Sequence, residues 1–97
     1  MSYRLSSRAM ADLGSIIEYL SELNPNAAHR LIDQFEERWG LLVTQPRSGA
    51  LRNEIGSGFR EVLVGEYLSI YRLDGDDIEI LRILHGRRNI TGDDFDI

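Results

Sequence analysis

The side chains best placed for chemistry are arginines and one histidine on a stretch of short apolar runs. Arg60, Arg72 and Arg82 alternate with Val, Ile, Leu and Tyr between Phe59 and Leu84, and His85, Arg87 and Arg88 follow the last run. Guanidinium groups hold carboxylates or phosphates through paired hydrogen bonds and stabilise developing negative charge. An imidazole near neutral pH can serve as a base. His85 has no accompanying nucleophile or orienting carboxylate in sequence, so catalysis through it lacks its second and third members. The blander reading keeps equal weight: Arg87 and Arg88 are solvated residues at a strand end. His29 reads as an exposed helix residue. There is no metal-ligand spacing, glycine-rich phosphate loop or Ser-His-Asp arrangement, and so no fingerprint of a cofactor or metal.

Composition narrows the classes further. All eleven basic residues are Arg, against sixteen acids, which gives a net charge of −5 and argues against electrostatic binding to bulk nucleic acid. Cysteine is absent, which removes disulfides, thiolate chemistry and Cys-based zinc sites. No apolar run is long enough to span a bilayer, and the first residues lack a signal-peptide layout, so the expected location is the cytoplasm, with no membrane partner. The 97 residues fit one domain, 1–97.

The elements that carry the arginines read as a β-meander over 59–89. Gly65-Glu66 suits a two-residue hairpin turn, and Asp74-Gly75-Asp76-Asp77 forms a second polar turn. The first turn pairs Val64 with Tyr67, Val62 with Ser69 and Arg60 with Tyr71. The second pairs Asp74 with Asp77, Arg72 with Glu79, Ile70 with Leu81 and Ser69 with Arg82. Arg72 opposite Glu79 is then a cross-strand ion pair worth roughly 0.2–1 kcal/mol. One face carries Val62, Val64, Tyr67, Tyr71, Leu73, Ile78, Ile80 and Leu84, with Arg60, Ser69 and Arg82. The other carries Phe59, Leu63, Leu68, Ile70, Leu81 and Ile83, with Glu61, Arg72, Glu79 and His85. Both are apolar, so each side requires a cover. A one-residue slip beyond the second turn would exchange the faces.

Upstream, residues 1–6 read as an edge strand and 7–45 as a helical hairpin. Ser6 or Ser7 caps the first helix, whose apolar positions are Ala9, Leu13, Ile16, Ile17, Leu20 and Leu23. Gly14 interrupts it at a cost of about 1 kcal/mol relative to Ala. Asn24-Pro25 ends that helix and starts the next, which runs through Ala28, Leu31, Ile32, Phe35, Trp39 and Leu42. The acids on the second helix speak against a DNA-reading helix-turn-helix. Residues 46–58 form a glycine-rich loop containing Arg47 and Arg52, and 90–97 an acidic tail that is frayed or docks only through Phe95. The fold expected is α+β, in the order β-α-α-β-β-β, with the helical hairpin on the face bearing Tyr67, Tyr71 and Ile80. Arg60 and Arg82 then need partners such as tyrosine hydroxyls or helix acids. The other face is expected to lie open and to bind a partner.

Order and residues together resemble the ParE branch of the RelE/ParE toxins, the toxin halves of bacterial type II toxin–antitoxin modules. The matching segments are LSSRAMADL, the Asn-Pro helix junction, QPRSGALRNEIGSGFREV, GEYLSIYRL and IEILRILHGRRN. The resemblance implies the fold above, a ParD-like antitoxin whose C-terminal segment wraps the toxin, and no direct DNA binding by the toxin itself. It implies poisoning of DNA gyrase, in modules associated with plasmid stabilisation, whereas RelE-like relatives cut mRNA in the ribosome. On this reading Leu63, Leu68, Ile70, Leu81 and Ile83 are candidate antitoxin contacts. His85, Arg87 and Arg88 are candidate target contacts. Arg60, Arg72 and Arg82 are structural or functional. The RelE pattern asks for lysines before the meander, an arginine after its tyrosine and a tyrosine near the C-terminus. Here there is no lysine, Leu68 follows Tyr67, and the tail lacks tyrosine; only Arg87 fits. The non-nucleolytic branch is therefore expected, with a ribosome-dependent endonuclease or an inactive antitoxin-binding relative as the alternatives.

Overall fold

The computed structural model describes residues 2–95. Strand β1 (Tyr3–Leu5) leads into helices α1 (Ser7–Leu23) and α2 (Pro25–Thr44), followed by β2 (Ala50–Leu51), β3 (Arg60–Val64), β4 (Tyr67–Asp74) and β5 (Asp77–His85). The sheet order is β1-β5-β4-β3-β2, with β1 parallel to β5 and the other pairs antiparallel. The α+β expectation holds, with one strand more: the 46–58 loop contains β2, which pairs Ala50 with Glu61 and Leu51 with Arg60.

Local chemistry explains the helix boundaries. The Ser6 hydroxyl accepts the Ala9 N–H at 3.1 Å, satisfying one of the free amides of α1, and donates to the Leu81 carbonyl at 2.9 Å. The Asn24 side chain accepts the N–H groups of Asn26 and Ala27 at 3.1 and 3.3 Å, and Pro25 opens α2 where its missing N–H costs nothing. Helix α2 buries Ala28, Leu31, Phe35, Trp39 and Leu42 along one stripe. Trp39 and Phe35 stack at 5.0 Å, and the Trp39 indole N–H donates to the buried Ser69 hydroxyl at 3.0 Å. This core is completed by Val62, Val64, Tyr71, Ile78, Ile80 and Ile83.

The first hairpin has the expected register. The second keeps it only from Asp74↔Asp77 to Tyr71↔Ile80, after which Ile70 faces Arg82 and Ser69 faces Ile83. Leu81 is the extra residue of a β-bulge, pinned to the start of α1 by the Ser6 hydroxyl. The bulge overturns the expected faces beyond it. Ile83 turns into the helix-side core, while Arg82 and Leu84 turn to the opposite side.

That opposite side is not open, a second correction. Ile55, Phe59, Ile70, Leu84, Ile90 and Phe95 form their own buried cluster, with Leu68 and Leu81 packed against it. The 46–58 loop and the segment after β5 supply the cover. Phe95 meets Phe59 edge-on at 5.1 Å, and a Cβ on Gly56 would lie 2.6 Å from the Phe59 ring, so this turn rests directly on the aromatic. The tail, expected to be frayed or docked only through Phe95, docks through Phe95 together with Ile90 and Asp94, with Thr91 capping a single 3-10 turn over Gly92–Asp94. The last two residues of that expectation lie outside the described residues.

Candidate functional site

The arginines separate once their partners are known. Arg82 is held bidentately by Asp12 of α1, with Nε–Oδ2 2.7 Å and Nη2–Oδ1 2.9 Å, and also donates to the Asp94 carbonyl. The same Asp12 carboxylate accepts the Ile83 N–H at 2.9 Å, closing the sheet edge just past the bulge. The helix acid foreseen for Arg82 is thus present, on the side the bulge selects. Arg60 shares a face with Tyr71 but donates to the carbonyls of Arg47 and Gly49, at 3.1 and 2.8 Å, rather than to a tyrosine hydroxyl. Arg72 pairs with Glu79 at 2.9 Å across the strands, as the register requires.

At the other end of the sheet, Tyr67 sits opposite His85, their rings edge-on at 5.5 Å. Burial, then the nearby charge of Glu66, pushes the Tyr67 phenol up from its ordinary value, so it stays protonated at neutral pH. The His85 Nδ1 accepts the Arg87 N–H at 3.2 Å, leaving Nε2 toward Glu66 at 3.9 Å. Arg88 pairs with the buried Asp94 carboxylate. Of the three candidate target contacts, Arg87 alone makes no side-chain ion pair among the described residues. The arrangement presents the exposed Arg87 guanidinium beside the His85 imidazole, with the exposed Arg88 engaged by Asp94. Among the described residues no group of His, Cys, Asp or Glu is placed to hold a metal ion, and no helix is long and apolar enough to cross a membrane.

The candidate antitoxin contacts also divide. Leu63 is 62% exposed, and Leu68 and Leu81 are half-buried. Ile70 and Ile83 are at 0% and 2% exposure, sealed inside the two clusters of this chain, and offer a partner no surface. Further exposed apolar surface lies elsewhere. Leu5, Met10, Leu13, Gly14 and Ile17 line a groove of about 540 Å³ along α1, with Met10 63% exposed. A Cβ on Gly14 would meet nothing within 4 Å, so no contact inside the chain compensates this mid-helix glycine. Met10, Gly14 and Ile17, spaced four and three apart, were the sequence signal for this second stripe.

A capped helical hairpin on a mixed five-stranded sheet, with an apolar groove along its first helix, defines a small α+β protein, and its class is that of the toxins of type II toxin–antitoxin modules. The family profile described as the ParE toxin of the type II toxin–antitoxin system parDE matches residues 3–90, and the chain belongs to that family. It is 34% identical over 81 residues to Toxin ParE3 of Caulobacter vibrioides, covering 82% of this chain and 81% of that protein. It is 33% identical over 86 residues to Toxin RelE1 of the same organism, covering 84% and 89%. A solved chain of the chromosomal ParDE toxin–antitoxin system from P. aeruginosa superposes with a TM-score of 0.74 at 27% identity, covering 88% of this chain and 95% of that one.

Proposed function

We propose that this ParE-family toxin acts by binding rather than by chemistry, with DNA gyrase as its target and a ParD-like antitoxin as its neutralising partner in the cytoplasm. The observation that carries the reading is the internal pairing of the arginines near the end of β5. Asp12 holds Arg82 and Asp94 holds Arg88, which leaves Arg87 as the exposed cation beside His85 without an ion pair among the described residues. A nuclease of the RelE kind needs several cations converging on the phosphate to stabilise its developing charge. Leu68 stands where that pattern asks for one of them. Arg87 and His85 remain as target contacts.

The α1 groove is the surface the antitoxin covers, and the exposed Leu63 and half-buried Leu68 and Leu81 are further contacts. Support comes from exposed Met10 and from Gly14, whose unfilled position admits a close-packed partner element. The resemblance to a ParDE system agrees with such a partner. The test is a cleavage-complex assay with purified gyrase, plasmid and ATP. The toxin is expected to accumulate broken plasmid with gyrase covalently attached, and the antitoxin to abolish it. Unaltered gyrase, with cleavage of mRNA on translating ribosomes, would transfer the protein to the nuclease reading that its similarity to RelE1 keeps in play.

A further inference from the structure

In a chain with more acids than bases, most interior arginines are paired. Beside β2, Arg52 pairs with Glu54 and Glu61, but two of its neighbours do not pair. Arg47 and Arg60 make no ion pair among the described residues, yet both line a cleft of about 360 Å³ with Arg72, Leu51, Ser57 and Leu73. This cleft lies at the Leu73 end of β4, opposite the end bearing Tyr67, His85 and Arg87. Arg60 is fixed in place, because one guanidinium nitrogen donates to the Arg47 and Gly49 carbonyls. Its remaining donors are held in position before any ligand arrives. Arg47 is exposed, and its side chain makes no hydrogen bond or ion pair among the described residues.

The neighbouring backbone adds a second feature. Strand β2 is one of the two edge strands of the sheet. Since the Arg52 N–H donates to Phe59 at 2.7 Å, the antiparallel alternation turns Arg52 and Ala50 toward β3 and the peptide N–H and C=O of Leu51 outward. Leu51 is also 49% exposed. Outward backbone donors and acceptors, an apolar side chain and unpaired guanidiniums in one place are the features of an edge that accepts an extended peptide.

We propose that the β2 edge and the Arg47–Arg60 cleft form a docking site for an extended, acidic segment of a partner polypeptide, with alternate carboxylates on the guanidiniums and an apolar side chain against Leu51. A nucleic-acid strand is disfavoured by the net charge of −5 and by the apolar walls of Leu51 and Leu73. This site is separate from the α1 groove and does not depend on which macromolecule the toxin poisons.

The experiment titrates the ¹⁵N-labelled full chain with the peptide acetyl-Asp-Leu-Glu-Leu-Asp-amide, following amide shifts. Shifts are expected at residues 47–52 and 60. Affinity should fall about tenfold or more in Arg47→Glu, a surface change that leaves the fold intact. It should fall again at high salt. The Asn/Gln version of the peptide should bind at least about tenfold more weakly. Arg60→Lys, which retains the charge but not the fork, reports separately on the fixed guanidinium. The proposal is overturned by no shifts at the β2 edge, by equal binding of the neutral peptide, or by a twelve-nucleotide single strand binding the cleft in preference to the acidic peptide.

Discussion

The Tyr71 hydroxyl accepts the Gly49 N–H at 3.0 Å and donates to the Pro46 carbonyl at 2.8 Å, so one phenol at the centre of the sheet organises the start of the 46–58 loop. Tyr71 is fully buried. Gly49 can approach this closely because it has no Cβ; an added one would lie 2.5 Å from the hydroxyl and 2.8 Å from the Glu61 carbonyl. Burial pushes the phenol pKa up, while the Gly49 N–H partly opposes that shift. Tyr71→Phe strands a buried N–H and is expected to cost about 1–3 kcal/mol. Gly49→Ala should cost more, since the backbone of β3 must move. Urea denaturation of both variants measures this; a Gly49→Ala protein as stable as the parent would contradict the packing described.

Asp12 and Arg82 tie α1 to β5 just past the bulge, with their side chains only 16% and 10% exposed. Removing the carboxylate takes two hydrogen bonds and the ion pair from the Arg82 guanidinium and the acceptor from the Ile83 N–H. Asp12→Ala is therefore expected to lose about 3–5 kcal/mol. Asp12→Leu combined with Arg82→Met should recover most of that, because an apolar pair replaces the buried ion pair without leaving an orphan charge. Thermal unfolding monitored by circular dichroism distinguishes the two; equal losses in both would show that the charges themselves stabilise the fold.

Gly14 separates folding from binding. In the chain alone, Gly14→Ala should stabilise by about 0.5–1 kcal/mol, since an exposed helix interior favours Ala and the space is open. Gly14→Phe fills the α1 groove and should weaken the antitoxin complex by about 1–3 kcal/mol through overpacking. Calorimetry on the folded variant checks this, and an unchanged affinity would remove the groove from the interface.

Acid should loosen two exposed ties. The Asp77 carboxyl is held below its usual range by the Ser2 backbone N–H first, at 3.1 Å, and then by the Ser2 hydroxyl at 3.2 Å. The Glu54 carboxyl is held down by the Arg52 side chain at 2.7 Å. A carboxylate depressed in the folded state contributes stability that is present above its unfolded pKa and lost as pH falls through the folded one. The loss therefore begins below about pH 4. Asp77→Asn and Glu54→Gln should each lower stability slightly at neutral pH and flatten the acid limb, so that urea denaturation across pH finds variant and parent converging in acid; a variant that parallels the parent at every pH would contradict the tie.

The helices, the caps at Ser6 and Asn24 and the first hairpin are legible in the sequence because each rests on local chemistry: a side-chain oxygen, a proline, a glycine able to take positive φ. The bulge is not. In Ile80-Leu81-Arg82-Ile83-Leu84 four of five residues are apolar, so either register buries two good side chains and periodicity cannot choose. The choice comes from Ser6 and Asp12, distant in sequence, which bind the Leu81 carbonyl and the Ile83 N–H. The second core escaped for a related reason. Ile55, Ile90 and Phe95 are single anchors in segments without periodicity, and nothing local marks them as the cover of Phe59 and Ile70. Of the candidate site, the half-buried His85 and exposed Arg87 were readable as strand-end residues, whereas the exposure of Met10 beside Gly14 depended on how α1 rotates against β5.

The most direct test of the account is pulse-labelling of DNA and protein synthesis within minutes of inducing the toxin in a bacterial host without its antitoxin. The account predicts that DNA synthesis stops first while protein synthesis continues, and that co-expressed antitoxin restores it. Arrest of protein synthesis first, with DNA synthesis following, would contradict it and place His85 and Arg87 in a ribosomal nuclease.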